Sequence, residues 1–135
     1  MGKSLIQQKR GKGSPRYRAP SFKYEGTAKF ARYEESKTLS ADIIDILHCS
    51  GHSAPLMELK YNNGEVGLLQ APEGVRVGGT IEIGENVELR IGNILPLKSI
   101  PEGTSIYNIE SKPGDGGKFV RASGAFAKIV TKMED

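Results

Sequence analysis

The sequence predicts a mainly β protein: a small Greek-key barrel with the OB-fold as its leading candidate, a second and shorter β unit, and a basic N-terminal extension. Three observations carry this. The 135 residues include 17 Gly and 7 Pro, 24 chain-turning residues in all, which suits short strands better than long helices. Short apolar runs recur between them, several alternating with a period of two. No segment shows helical periodicity over a useful length.

The elements follow in order. Residues 1–22 read as an extended arm, since Gly11, Gly13, Pro15 and Pro20 forbid a continuous helix. TAKFARY (27–33) partly alternates. ADIIDILHC (41–49) is apolar and β-branched. In PLMELKY (55–61), Leu56, Glu58 and Lys60 oppose Met57, Leu59 and Tyr61. Asn63-Gly64 then signals a hairpin with a type I′ turn, which requires positive φ. EVGLLQ (65–70) returns, APEGV (71–75) turns, and GTIEIG (79–84) alternates. These five runs make the first barrel. A second set begins near residue 86 with NVELRIGNILPL (86–97), SIYNIE (105–110) and GAFAKIVTK (124–132). It is short of strands for closure, and its last strand leaves an exposed edge.

One cysteine, Cys49, excludes an intramolecular disulfide and fits a reducing compartment. No run reaches the apolar length of a membrane span. The N-terminus has no signal-like apolar core, and Ile6 occupies the place where a myristoylation pattern wants Ser or Thr. A soluble cytoplasmic protein is expected. The net charge of +3 conceals a division. Residues 1–32 hold nine bases and one acid, a balance of +8; residues 33–135 hold ten bases and fifteen acids, a balance of −5. A basic arm on an acidic body is the layout of a polyanion binder. Within the arm, Lys9, Arg10, Lys12, Arg16, Arg18 and Lys23 alternate with Tyr17 and Phe22, a mixture that suits phosphates and unstacked bases.

KPGDGGKFVRASG (112–124) is the second candidate site. Its glycines point to a backbone that approaches an anion, and three readings are open. A nucleotide loop fits badly: Phe119 stands where Ser or Thr would hold Mg²⁺, Lys112 where the first glycine is required, and no helix follows. A tight turn at Asp115-Gly116 accounts for part of the pattern. RNA contact accounts for more of it: Gly114, Gly116 and Gly117 admit a phosphodiester, while Lys118, Arg121 and Ser123 supply charge and donors. His48-Cys49-x-x-His52 offers three metal ligands where a structural zinc site wants four, and the chain has no further His or Cys. Neither a cofactor nor a nucleophile is indicated. Glu34-Glu35 reads as a solvated turn.

Several segments carry a family resemblance. QQKRGKGSPRYRAPSFKY (7–24), SAPLMELKY (53–61), LLQAPEGVRVG (68–78), GNILPLKSIPEGTSIYNIE (92–110) and SKPGDGGKFVRASGAFA (111–127) occur in the order found in the universal large-subunit ribosomal protein L-two. The chain resembles the archaeal and eukaryotic form of that family. The resemblance implies an extension over 1–24, an OB-fold over 25–85 and the start of an SH3-like barrel over 86–135. It also implies a non-enzymatic structural role in the cytoplasmic ribosome, with no small-molecule substrate. The implied partners are large-subunit ribosomal RNA near the peptidyl-transferase region and neighbouring ribosomal proteins. Lys9, Arg10, Lys12, Arg16 and Arg18 match the family's RNA-threading arm, and Gly114, Gly116, Gly117, Lys118, Arg121 and Ser123 its glycine-rich RNA contact. Family members continue for about a hundred residues more, so a piece or ordered portion of a longer protein is expected. An OB- or SH3-like adaptor outside the ribosome is the alternative.

Overall fold

A computed structural model describes residues 2–3, 5–31 and 37–133. It is mainly β. Strands β1 (Leu39–Leu47), β2 (Leu56–Tyr61), β3 (Val66–Gln70) and β4 (Thr80–Ile83) form one antiparallel sheet in the order β3-β2-β1-β4. Strands β5 (Ser105–Ile106) and β6 (Ala127–Lys128) pair as a second, two-stranded sheet. Among the described residues no helix is long and apolar enough to cross a membrane.

The alternation in β2 predicts its facing. Met57, Leu59 and Tyr61 enter a core with Ala41, Ile43, Leu69, Ile81 and Ile83. Leu56 points the other way yet is also fully buried, in a smaller cluster with Ala28 and Cys49. One end of the sheet is therefore covered on both faces. Each such aliphatic side chain contributes roughly 1.5–3 kcal/mol by leaving water.

In β1 the register against β2 slips between Ile43 and Asp45. The extra residue is a β-bulge, and it has a clear physical purpose. Without it Asp45 would fall opposite Met57 on the core face; with it Asp45 pairs with Glu58, and Ile46 takes the place beside Met57.

Two local expectations change. The β2–β3 connection is not a type I′ turn. Among the described residues only Asn108 and Val120 are non-glycines with positive φ, so Asn62 and Asn63 keep negative φ and Gly64 alone in this turn has positive φ, at 87°. The Gly64 N–H donates to the Tyr61 carbonyl at 2.9 Å and the Tyr61 N–H to the Glu65 carbonyl at 2.9 Å, a three-residue loop with a glycine bulge. The arm is not extended throughout either. Its good helix formers make α1 (Ile6–Gly11), one short helix that stops at the first glycine. Single 3₁₀ turns follow at Pro15–Tyr17 and Ser21–Lys23.

Residues 27–31, the described part of the run at 27–33, and the run at 86–97 give bridges rather than strands. Ala28 bridges Leu68 and Ile94 bridges Ile83, one at each edge of the four-stranded sheet. Phe30, Ala31 and Ile94 fold from those edges over the same core. Glu34 and Glu35 lie outside the described residues. Beyond residue 84 the core is thin: among the described residues Ile100 is the sole buried hydrophobic side chain, while Phe126, Val130 and Met133 are exposed.

Candidate nucleic-acid interface

The arm presents its charge to solvent. Lys9, Arg10, Lys12, Arg16, Arg18 and Lys23 are all exposed, and none makes an ion pair among the described residues. The helix at 6–11 buries nothing, so it serves to set the spacing of Lys9 and Arg10 rather than to pack. Arg10 lies 5.2 Å from the Tyr17 ring centre and Lys23 lies 5.8 Å from that of Phe22. These cation–π contacts pair the two residue types that the sequence interleaves. The arm joins the body where the Ser50 hydroxyl donates to the Lys23 carbonyl at 3.3 Å.

The glycine segment does hold anions with its backbone, but they are its own. Glu110 accepts from the N–H of Gly114 at 3.2 Å and of Gly116 at 2.9 Å. Asp115 accepts from Ser111 at 3.0 Å, Lys112 at 3.1 Å and Gly117 at 3.2 Å. Lys118 completes the group, 3.6 Å from the Asp115 carboxylate. Desolvation pushes the Asp115 carboxyl up, yet the N–H groups of Lys112, Gly117 and Ser111, with Lys118, outweigh it and hold the pKa below the ordinary value.

Gly116 and Gly117 are buried against protein, not opened toward a ligand. A Cβ on Gly116 would sit 3.1 Å from the Lys29 side chain, and one on Gly117 only 2.2 Å from Asn108 Oδ1. Gly114 has nothing within 4 Å and φ 83°, so it is there for its turn alone. Arg121 points inward as well. Its Nη2 donates to the Ala28 carbonyl at 2.6 Å. The hydrogen-bond pattern orients the Gln70 carboxamide with its oxygen toward Arg121, 3.1 Å from Nε and 2.8 Å from Nη2, and its nitrogen 3.2 Å from the Asn108 amide. Val120 adopts φ 57°, a conformation a β-branched residue rarely tolerates, and thereby turns the chain between exposed Phe119 and inward Arg121. Tyr107 lies beside this network, its hydroxyl 3.5 Å from the Gln70 carbonyl, and burial pushes its phenol up to about 12.

The structure thus separates the predicted residues into two groups. Lys118 and Ser123 are exposed, with the arm cations. Arg121 ties residues 108–124 to Ala28 and to Gln70 of the first sheet, Gly116 packs on Lys29, and Gly117 packs on Asn108 within the segment. Glu110, Asn108, Gln70 and Ser53 take part in this fastening and escaped the sequence reading; the carboxylates at 110 and 115, flanking the glycines, were the available signal. Cys49 and His52 come together, Sγ to Nδ1 3.2 Å, but no group of three metal-ligating side chains forms among the described residues.

Residues 90–135 match the sequence profile of the family described as Ribosomal Proteins L2, C-terminal domain. Large ribosomal subunit protein uL2 of Methanocaldococcus jannaschii is 52% identical over 134 residues, which cover 97% of this chain and 55% of the relative. The chain belongs to the uL2 family. Within that family, uL2 of Methanococcus vannielii is 49% identical over 133 residues, covering 96% of this chain and 56% of the relative. For uL2 of Methanococcus aeolicus the figures are 47% over 134 residues, 97% and 56%. The chain spans about half the length of the uL2 relatives it matches.

Proposed function

We propose that this chain is a structural constituent of the large ribosomal subunit, without catalytic activity, that binds ribosomal RNA through its N-terminal arm. The observation that carries the proposal is the row of exposed cations from Lys9 to Lys23, without carboxylate partners among the described residues and set apart from an acidic body. Membership of the uL2 family supports the choice of ribosomal RNA as the polyanion. The arm neutralises crowded phosphates, and the β units act as a rigid wedge between RNA helices. Tyr17 is available to stack on a base once Arg10 moves to a phosphate. In the glycine segment the phosphate contact falls to Lys118 and Ser123, because Gly114, Gly116, Gly117 and Arg121 have internal partners.

The finer reading places the protein in the cytoplasmic ribosome, near the peptidyl-transferase region and against neighbouring ribosomal proteins. It divides the chain into an extension (1–24), an OB-fold-like unit (25–85) and an SH3-like unit (86–135). The profile match that begins at residue 90 supports the second boundary.

Binding to protein-free large-subunit RNA across a salt series tests this. Five to eight phosphate contacts give a log–log slope of about −4 to −7. Changing Lys9, Arg10, Lys12, Arg16 and Arg18 to Ala flattens that slope. A weak, salt-independent affinity overturns the proposal. Failure to co-sediment with large subunits, with RNA binding intact, points instead to an adaptor outside the ribosome.

A further inference from the structure

Residues 1–24, 46–57 and 116–133 are acid-free stretches of this sequence. They are far apart along the chain, on a body in which acids outnumber bases. In the fold they meet at one place, the loop 48–54 between β1 and β2. The Ser50 hydroxyl donates to the Lys23 carbonyl at 3.3 Å, and the Tyr24 ring packs on Gly51 so closely that a Cβ there would lie 2.9 Å from it. On the other side the Ser123 N–H donates to Ser53 Oγ at 3.2 Å. The root of the arm and the end of the glycine segment are thus both seated on this loop.

The loop is held firmly enough to act as a seat. Cys49 is fully buried with Ala28 and Leu56, and the His52 N–H donates to the Cys49 carbonyl at 3.1 Å while the His52 ring meets its Sγ. Around this anchor His48, Ser50, Gly51 and Ser53 are exposed and His52 is half-buried. Ser53 uses its oxygen as an acceptor, which leaves its hydroxyl hydrogen to donate outward. Glu25 borders the surface, following directly on the arm root.

We propose that the loop 48–54 is an RNA-contact element in its own right. In this arrangement it offers His48, His52 and the Ser53 hydroxyl to the phosphodiester backbone, and it links the root of the arm to Ser123. The inference rests on the RNA-binding reading above and deepens it. An RNA strand held by the arm runs directly onto this loop, because Lys23 and Ser50 touch. The histidines then act as donors at a seam where a carboxylate would repel phosphate.

The test compares three forms of the chain on protein-free large-subunit RNA: wild type, His48→Glu and Val66→Glu. Both variants add one formal negative charge at an exposed site. Val66 lies at the opposite end of the β2–β3 hairpin from the loop, and there the same charge faces no proposed RNA. A carboxylate placed beside a phosphate lowers affinity by roughly fivefold or more, whereas one beyond a Debye length is screened. The expected result is at least that difference between His48→Glu and Val66→Glu, with RNA-induced protection of the 48–54 amides from hydrogen exchange in the wild type. Equal affinities of the two variants, or no protection of that loop, overturn the inference while leaving the arm reading intact. A wild-type chain that shows no salt-dependent binding overturns the RNA reading itself.

Discussion

Replacing Gly117 by Ala probes the seam between the glycine segment and the first sheet. Gly117 sits at φ 92°, and an added Cβ would lie 2.2 Å from Asn108 Oδ1 and 2.8 Å from its Cγ. The left-handed backbone alone costs about 1–2 kcal/mol for a residue with a Cβ. Asn108 cannot yield without further loss, since it is 3% exposed and its amide faces Gln70, which in turn holds Arg121. Forcing an extra methyl group into this packed site costs about 1–3 kcal/mol more. The sum is roughly 2–5 kcal/mol, or about 30- to 5,000-fold faster hydrogen exchange through local opening. The amides to follow are Asn108, Ile109 and Phe119, which bridge the two sides of the loop. Gly114→Ala is the internal control, with φ 83° and no neighbour within 4 Å. It carries the backbone term alone, about tenfold. If the two variants accelerate exchange equally, Asn108 is not a wall, and the account of Gly117 fails.

Arg121→Ala removes donors from the Ala28 carbonyl and from Gln70, so residues 108–124 loosen from the sheet by about 1.5–3 kcal/mol. Its salt slope on RNA stays near the wild-type value, whereas Lys118→Ala lowers the slope by nearly one; a reversed pattern would return Arg121 to the RNA surface. Asp115 has a depressed pKa, so its contribution to stability is fully present above 3.8 and is lost as pH falls through the lower folded value. The amide resonances of Ser111, Lys112 and Gly117 should therefore hold steady down to about pH 4, move below it, and lose that transition in Asp115→Asn. A midpoint above pH 4 would refute the carboxylate cage.

The parts of this fold that were legible in the sequence are those set by local repetition. Met57, Leu59 and Tyr61 declare their face by period, and the arm declares itself by Lys and Arg without acids. What escaped depends on contacts between distant residues. Nothing in the neighbourhood of Leu56 says that Ala28 and Cys49 will cover the opposite face of the sheet. The bulge at Ile44 has no local signature, and the shift shows only in the pairing with Met57 and Glu58 across the strands. The glycines of 112–124 signal a backbone that approaches an anion, and in the fold Glu110 and Asp115 take those N–H groups. Spacing reveals that N–H groups converge, not that Glu110 and Asp115 fold back onto them. Arg121 was counted with the surface cations for a similar reason: its partner, the Ala28 carbonyl, lies 93 residues away.

The self-supplied carboxylates at 110 and 115 make this loop a preassembled part. Its N–H groups are already engaged, so the RNA encounter proposed above would not have to build it. The flanking arm is the reverse case, a row of side chains whose energy is realised only at contact. One chain therefore holds both a finished tool and an adhesive. In the assembly proposed above, the adhesive would govern whether and how fast RNA is caught, and the finished tool how precisely the caught helices are spaced.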